Sequence, residues 1–177
     1  MCDVGGGAGG RVMPAAPGEH VMRPVPAAAA AAADVIVLLA RIWAEYDFVW
    51  DPETEFPDLF TFDSHYAPPR GAFWVVRDEV GRVVGSIGVQ RVGPTTAEIR
   101  RLYLDKHLRG RGLGRALVEE VLAWCRAHGC TRLVLWSDTR FEHSHRLYDR
   151  MGFARVGERT VPDDLNNSRE YRFERDV

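Results

Sequence analysis

Lysine is nearly absent from this chain. Of 23 basic residues only Lys106 is a lysine, an imbalance that reads as coding bias rather than function. Basic charge is not in excess either: 25 acidic residues leave a formal net charge of -2, so no overall cationic field exists to hold nucleic acid or an anionic membrane. Cysteine is scarce. Cys2, Cys125 and Cys130 are odd in number and match no metal spacing, which argues against a disulfide framework or a metal centre. Cys125 falls inside an apolar helical pattern, where a reduced, packed thiol is expected, and the usage points to the cytoplasm. A long uncharged apolar run is also missing. "PAAAAAAADVIVLLARIWAEY" is interrupted by Asp34 and followed by Arg41 and Glu45, short of the roughly 18 residues a membrane span needs. It reads instead as a helix opened by Pro26 with one face in a core.

What remains is a 177-residue chain with 46% apolar residues, a composition that suits one soluble domain with a core of its own. The opening "MCDVGGGAGGRVMPAAPGEH" has no periodicity and little to bury, so residues 1–19 are expected to be a disordered extension and 20–177 the folded domain. Met13 and Met22 are alternative starts. "HVMRPV" reads as a first strand, the Ala-rich segment as a first helix, and residues 46–70 as a structured loop with a broken second helix. "GAFWVVRDEVGRVVGSIGVQRV" is two β-rich runs around a turn at Asp78 to Gly81, and "TAEIRRLYL" is the next strand. A glycine-rich loop then leads into a helix on which Leu113, Leu117, Val121 and Cys125 recur every four positions, with Gly129 as a stop. "RLVLWS" has the continuous apolar character of a buried parallel strand. "EHSHRLYDRMGF" is a short helix ending at Gly152, and "ARVGERTV" and "SREYRFERDV" are closing strands. The order β-α-(α)-β-β-β-α-β-α-β-β is that of an α/β protein with a mixed sheet, without internal repeat.

Chemistry concentrates at "LDKHLRGRGLGRAL", residues 104–117. Its glycines at 110, 112 and 114 fail the dinucleotide pattern because position 115 is arginine, and Gly-Lys-Ser/Thr is absent, which excludes a Walker loop. A strand running into a glycine turn and then a helix leaves free backbone N–H groups where a phosphate can approach, and Arg109, Arg111 and Arg115 add positive charge. Taken alone, such a cluster reads more readily as a surface turn with solvated arginines.

Arg109-x-x-Gly112-x-Gly114, set between "EIRRLYL" and an amphipathic helix and followed by a buried strand and "RLYDRMGF", resembles the GNAT superfamily of N-acetyltransferases over roughly residues 20–175. The resemblance implies a single-domain fold with a mixed, mostly antiparallel sheet of about 6–7 strands and helices on both faces. It implies acetyl-CoA as cosubstrate without a metal. Arg109, Gly110, Arg111, Gly112, Leu113, Gly114 and Arg115 would hold its pyrophosphate, and the backbone of Leu102, Tyr103 and Leu104 would contact the pantetheine and acetyl carbonyl. Glu98, eleven residues before Arg109, matches a glutamate that serves as general base in one branch of the family; the plain alternative is a strand carboxylate paired with Arg100. Tyr148, four residues before Gly152, matches the tyrosine that protonates the leaving thiolate, the alternative being a packed helix tyrosine.

One departure stands out. Many relatives carry an asparagine at the start of the Tyr148 helix; "SDTRFEHSH" has none, and Phe141 takes that place, with Ser137, Asp138 or Thr139 left to cap or contact. His143 and His145, two positions apart on a helix, point to different sides and read as solvated rather than metal ligands. The expected acceptor is a small cationic amine, drawn by Glu45, Asp47, Asp51, Glu53, Glu55, Asp58 and Asp63 and covered by Tyr46, Phe48, Trp50, Phe56 and Tyr66; solvated acids and loop-anchoring aromatics are the competing reading. No nucleic acid or membrane partner is expected, and a homodimer is left open. A protein amine as acceptor, or a non-catalytic acyl-CoA-binding module, are the alternatives to a small-molecule enzyme.

Overall fold

The computed structural model describes residues 22–177, so the expectation of a disordered residue 1–19 segment lies outside the described residues. Seven strands form one sheet in the order β1-β2-β3-β4-β5-β7-β6: β1 (Val25–Pro26), β2 (Gly71–Arg77), β3 (Val83–Arg91), β4 (Thr96–Leu104), β5 (Arg132–Asp138), β6 (Ala154–Thr160) and β7 (Arg169–Asp176). Every neighbouring pair is antiparallel except β4 with β5. The helices are α1 (Ala32–Glu45), α2 (Pro52–Glu55), α3 (Pro57–Phe60), α4 (Phe62–Tyr66), α5 (Leu113–Ala127) and α6 (Glu142–Arg150).

Alternation along the strands creates two cores. On β2, Phe73 and Val75 pack with Val35, Leu38, Leu39 and Ile42 of α1 and with Phe56, Leu59 and Phe62, whereas Trp74 and Val76 pack with Leu117, Val121 and Cys125 of α5 and with Tyr148. Both faces of β2 are therefore buried, which is why its sequence is apolar at consecutive positions from Ala72 to Val76 rather than at every second one. The apolar spacing of α1 at 35, 38, 39, 42 and 43 is the i, i+3, i+4, i+7, i+8 stripe of a helix laid on a sheet.

The sequence boundaries shift in places. The first strand is reduced to Val25–Pro26, paired with Val75 and Trp74, and Ala27 N–H donates to Phe73 C=O at 2.9 Å. Because Pro26 is held in that ladder it cannot open the helix, which starts at Ala32 after a 3-10 turn at Ala29–Ala31. Residues 46–70 hold three short helices instead of one broken one, two of them begun by Pro52 and Pro57 at the first helical position.

The topological feature that matters most lies at the centre. β4 and β5 pair only at Thr96 to Glu98 with Arg132 to Val134 and then diverge, although β4 continues to Leu104 and β5 to Asp138. A register shift between Ser86 and Gly88 marks a bulge in β4, where Arg101 adopts a left-handed φ of 55°. The parallel neighbour expected for "RLVLWS" is thus real but only three residues long; the rest of β5 is paired on its other side, antiparallel to β7.

Candidate active site

Two cavities open on either side of the divergence between β4 and β5. The first, ≈ 620 Å³, lies between the end of β4, the glycine loop and the starts of α5 and α6. Gly112 is the N-cap of α5 with φ 83° and no side-chain cap, and Gly110 has φ 79°. Glycine at the N-cap brings no side chain to accept from the first N–H groups of α5, and no acidic residue sits in that first turn. Gly110, Gly112 and Gly114 line the cavity together with Arg109, Arg115, Arg146 and Arg150, and no carboxylate does. An uncapped helix start ringed by four arginines is a place for a polyanion.

The expected residues do not all converge there. Arg111 is exposed outside the lining and Leu113 is buried in the core, whereas Arg146 and Arg150 of α6, which sequence reasoning missed, contribute positive charge from across the cavity. Arg109 turns inward, its Nε donating to Leu104 C=O at 3.0 Å and its Nη1 lying 2.8 Å from Glu45 Oε2. Asp105 N–H donates to Val84 C=O at 2.8 Å, so the neighbouring Leu104–Gly85 pair is the type whose N–H groups face away from each other. The Leu104 N–H therefore faces the cleft rather than β3.

The second cavity, ≈ 450 Å³, is walled by Trp43, Phe48, Glu55, Phe56 and the loop from Val161 to Ser168, over a floor of Glu98, Arg100, Arg101 and Trp136. Leu102, Tyr103, Phe141 and Ser144 line both cavities. These four residues mark where the two cavities adjoin. Phe141 packs against Trp43, Tyr46, Phe48 and Tyr103, an apolar contact where an asparagine would place an amide.

Glu98 sits at the last residue pair before the strands diverge, and its Oε1 is 2.9 Å from Arg100 Nε; both readings of this carboxylate meet here, since it is paired and also lines the second cavity. Tyr148 is 4% exposed, edge-on to Phe153 and against Phe173, yet it too lines that cavity. Burial pushes its hydroxyl well above the ordinary tyrosine range, with Ser137 and Ser144 beside it, which keeps it protonated and able to donate. His145 departs from the solvated reading. It is half-buried against Tyr171 and Phe173, its Nε2 is 3.2 Å from Ser137 Oγ, and burial lowers its pKa. His143 is exposed, as expected.

The acidic segment is split by the fold. Of its seven acids only Glu55 lines the second cavity. Glu45 is committed to Arg109, Asp51 accepts Thr54 N–H at the start of α2, and Asp47, Glu53 and Asp63 are exposed outside both cavities. Asp58 is buried, binding the Arg101 guanidinium through both carboxylate oxygens and accepting the Tyr66 hydroxyl. Burial alone would raise the Asp58 pKa, but Arg101 and Tyr66 hold it below the usual carboxylate range. Glu55 shows the opposite balance: burial first, then the hydrogen bond and charge of Asp164, push it up to about 7. That poised carboxyl had no signal in the sequence, because Asp164 approaches it from a loop more than a hundred residues away.

Among the described residues no group of three or more His, Cys, Asp or Glu could hold a metal, and no helix is long and apolar enough to cross a membrane. Cys125 and Cys130 are buried free thiols outside both cavities, and burial, then Cys130, pushes Cys125 up to about 12.

Residues 36–153 match the family described as the acetyltransferase (GNAT) family. The chain is 35% identical over 103 residues to N-acetylaspartate synthetase of Danio rerio, covering 57% of this chain and 36% of that protein. It is 31% identical over 127 residues to N-acetyltransferase 8 of Homo sapiens, covering 68% of this chain and 54% of that protein. The matches thus span about a third to a half of these relatives' lengths. The fold is similar to a GNAT-family acetyltransferase structure from Staphylococcus aureus, with a TM-score of 0.77 at 19% identity over 88% of this chain and 99% of that one. An acetyltransferase structure from Streptococcus agalactiae gives a TM-score of 0.74 at 22% identity, over 90% of this chain and 100% of that one.

Proposed function

Because the chain belongs to the acetyltransferase (GNAT) family, we propose that it transfers the acetyl group of acetyl-CoA directly to a primary amine, a small cation, with both substrates bound together. The observation that carries this reading is the pair of cavities that share Leu102, Tyr103, Phe141 and Ser144: one rimmed by four arginines and an uncapped helix, the other by aromatic rings and by carboxylates that outnumber its arginines.

In this reading the α5 N–H groups with Arg109, Arg115, Arg146 and Arg150 hold the phosphates, and the pantetheine arm runs along β4 where β5 has diverged. The Leu104 N–H donates to the thioester oxygen as negative charge grows there. An ammonium must lose a proton before it attacks, and Glu98 is the base at hand in the second cavity. Tyr148 returns a proton to the departing thiolate. Direct transfer fits the absence of a thiol from the cavity linings among the described residues. The two buried thiols suit a reducing compartment such as the cytoplasm.

The cationic preference rests on which carboxylates lack an ion-pair partner. Around the second cavity Glu98, Asp138 and Glu170 pair with Arg100, Arg140 and Arg159, and Arg101 with Asp58, leaving Glu55, Asp163 and Asp164 without a cation of their own. A second reading takes its acceptor from the relatives named for N-acetylaspartate: an amino acid whose carboxylate reaches Arg100. The Arg100 Nε favours it, being buried and out of line for a hydrogen bond to Glu98. Thiol release from acetyl-CoA, measured against a panel of cationic, neutral and dicarboxylic amines, tests both. Release that depends on the amine supports an enzyme, and its order across the panel separates the two acceptors. Tight CoA binding with no release would instead make this a binding module.

A further inference from the structure

The loop joining β6 to β7 and the segment joining α1 to α2 both contribute walls to the acceptor cavity, and one side chain ties them together. Asn166 Oδ1 accepts the Val49 N–H at 2.7 Å, while Asn166 Nδ2 donates to the Val49 C=O at 3.4 Å and reaches Glu55 Oε1 at 3.5 Å. The carboxamide copies a peptide group, pairing with both backbone atoms of Val49 as a neighbouring strand would.

Asn166 is itself firmly held. Asp164 Oδ2 accepts the N–H groups of Asn166 and Ser168 at 3.0 and 2.7 Å, and the turn uses left-handed backbone at Asp163 and Asn167. Arg140 anchors the loop from the β5 side, donating to Asn166 C=O at 3.2 Å and Ser168 Oγ at 3.0 Å while its guanidinium lies 4.1 Å from the centroid of the Phe48 ring. The loop is thus tied to both neighbouring walls, and residues on each side of the bridge line the cavity. A chain threading between the walls must break it. A molecule enclosed beneath it need not.

We propose that Asn166 is a specificity-determining latch, which ties the 161–168 loop to Val49 and so restricts the acceptor to enclosed small amines, excluding amines carried on a polypeptide. This rests on the amine-acetyltransferase reading above and deepens it. The bridge is made of neutral hydrogen bonds at a partly exposed site, each of modest strength, so it is strong enough to bias access and weak enough to be opened by one substitution.

The test uses the full chain and its Asn166→Ala and Asn166→Asp variants, the second preserving an acceptor for Val49 N–H but losing the donor. Hydrogen exchange at the Val49 amide reads the latch without any substrate. Initial rates with ethylenediamine and with a terminally blocked peptide bearing one central lysine read its consequence. Asn166→Ala should speed Val49 exchange by about tenfold and raise the peptide-to-diamine ratio of kcat/KM by a similar factor. Asn166→Asp should raise the ratio as well. An unchanged ratio, unchanged Val49 exchange, or a wild-type chain that already uses the peptide as well as the diamine would overturn the latch. A wild-type chain that releases no CoA with any amine is a distinct result: it refutes the acyl-transfer reading and takes this proposal with it.

Discussion

Gly112 shows how little of a residue's importance lies in its contacts. A Cβ built there meets nothing within 4 Å, yet its φ of 83° is costly for any other residue, by about 1–2 kcal/mol. Gly112→Ala should therefore fold and weaken CoA binding by about tenfold or more, measured by calorimetry, because it pulls the first α5 N–H groups out of line. At Gly114 the added carbon would lie 3.1 Å from Leu147 Cδ2, a flexible neighbour, so Gly114→Ala should cost less. The two catalytic candidates separate by pH. Glu98→Gln should lose activity most at low pH and recover as the amine deprotonates itself, whereas Tyr148→Phe should lower kcat without a matching loss of acetyl-CoA affinity, each by about 10²–10⁴-fold at most. A Glu98→Gln enzyme with the wild-type profile would leave Glu98 as the partner of Arg100 alone. The glycine loop was legible in the sequence because close backbone approach restricts the residue types that serve. The Arg101–Asp58 pair was not, since its members are 43 residues apart and each looks like an ordinary surface charge in its own segment.

At the scale of elements, the bulge in β4 is pinned from three sides. Arg101 holds a left-handed backbone, its C=O accepts Ser86 Oγ at 2.8 Å, and its guanidinium binds Asp58 and lies 4.8 Å from the centroid of the Phe56 ring. Asp58→Asn leaves that guanidinium without a countercharge in a buried site and should destabilise the fold by about 3–5 kcal/mol, read from denaturant midpoints. The Glu55–Asp164 contact between the α2 and β6–β7 elements makes a pH prediction. The Glu55 carboxyl faces Asp164 and Asn166 from the β6–β7 loop and Arg101 and Tyr103 from β4. Its pKa rises from 4.5 to about 7 on folding, so its stabilising contribution is full below pH 4.5 and is lost as pH rises through about 7. The stability difference between wild type and Glu55→Gln should change across that window and level off above it. Asp164, held low chiefly by Ser168 against its own burial, acts in the opposite sense and only at more acid pH. Long periodic elements such as α1 and α5 were readable from their stripes. The helices α2 to α4 were not, because at four or five residues each they complete barely one turn and carry no period.

For the whole molecule, charge is sorted rather than spread. A net charge of -2 conceals one cavity lined by four arginines and no acid, three of them paired with Glu45, Glu119 and Glu142 outside the lining, beside another whose carboxylates without an ion pair are Glu55, Asp163 and Asp164. Of the acids in residues 45–63 only Glu55 lines the second cavity, and the other two of its carboxylates without an ion pair, Asp163 and Asp164, come from near the far end of the chain. Acceptor kcat/KM should fall as ionic strength rises, and Asp163→Asn should weaken acceptor use while leaving acetyl-CoA affinity alone; Glu53→Gln, on a residue outside the cavity, should do neither. A preference for dicarboxylic amines would contradict this and favour the Arg100 reading. In the proposed reaction the two cavities are filled at once and an acetyl group passes between them where they adjoin. Two-substrate initial rates test it most directly, varying acetyl-CoA at several fixed concentrations of an accepted amine. Direct transfer predicts double-reciprocal lines that intersect, with no CoA released until amine is added. Parallel lines, or a burst of CoA before the amine, would mean that the acetyl group rests on the protein first, and would contradict the account.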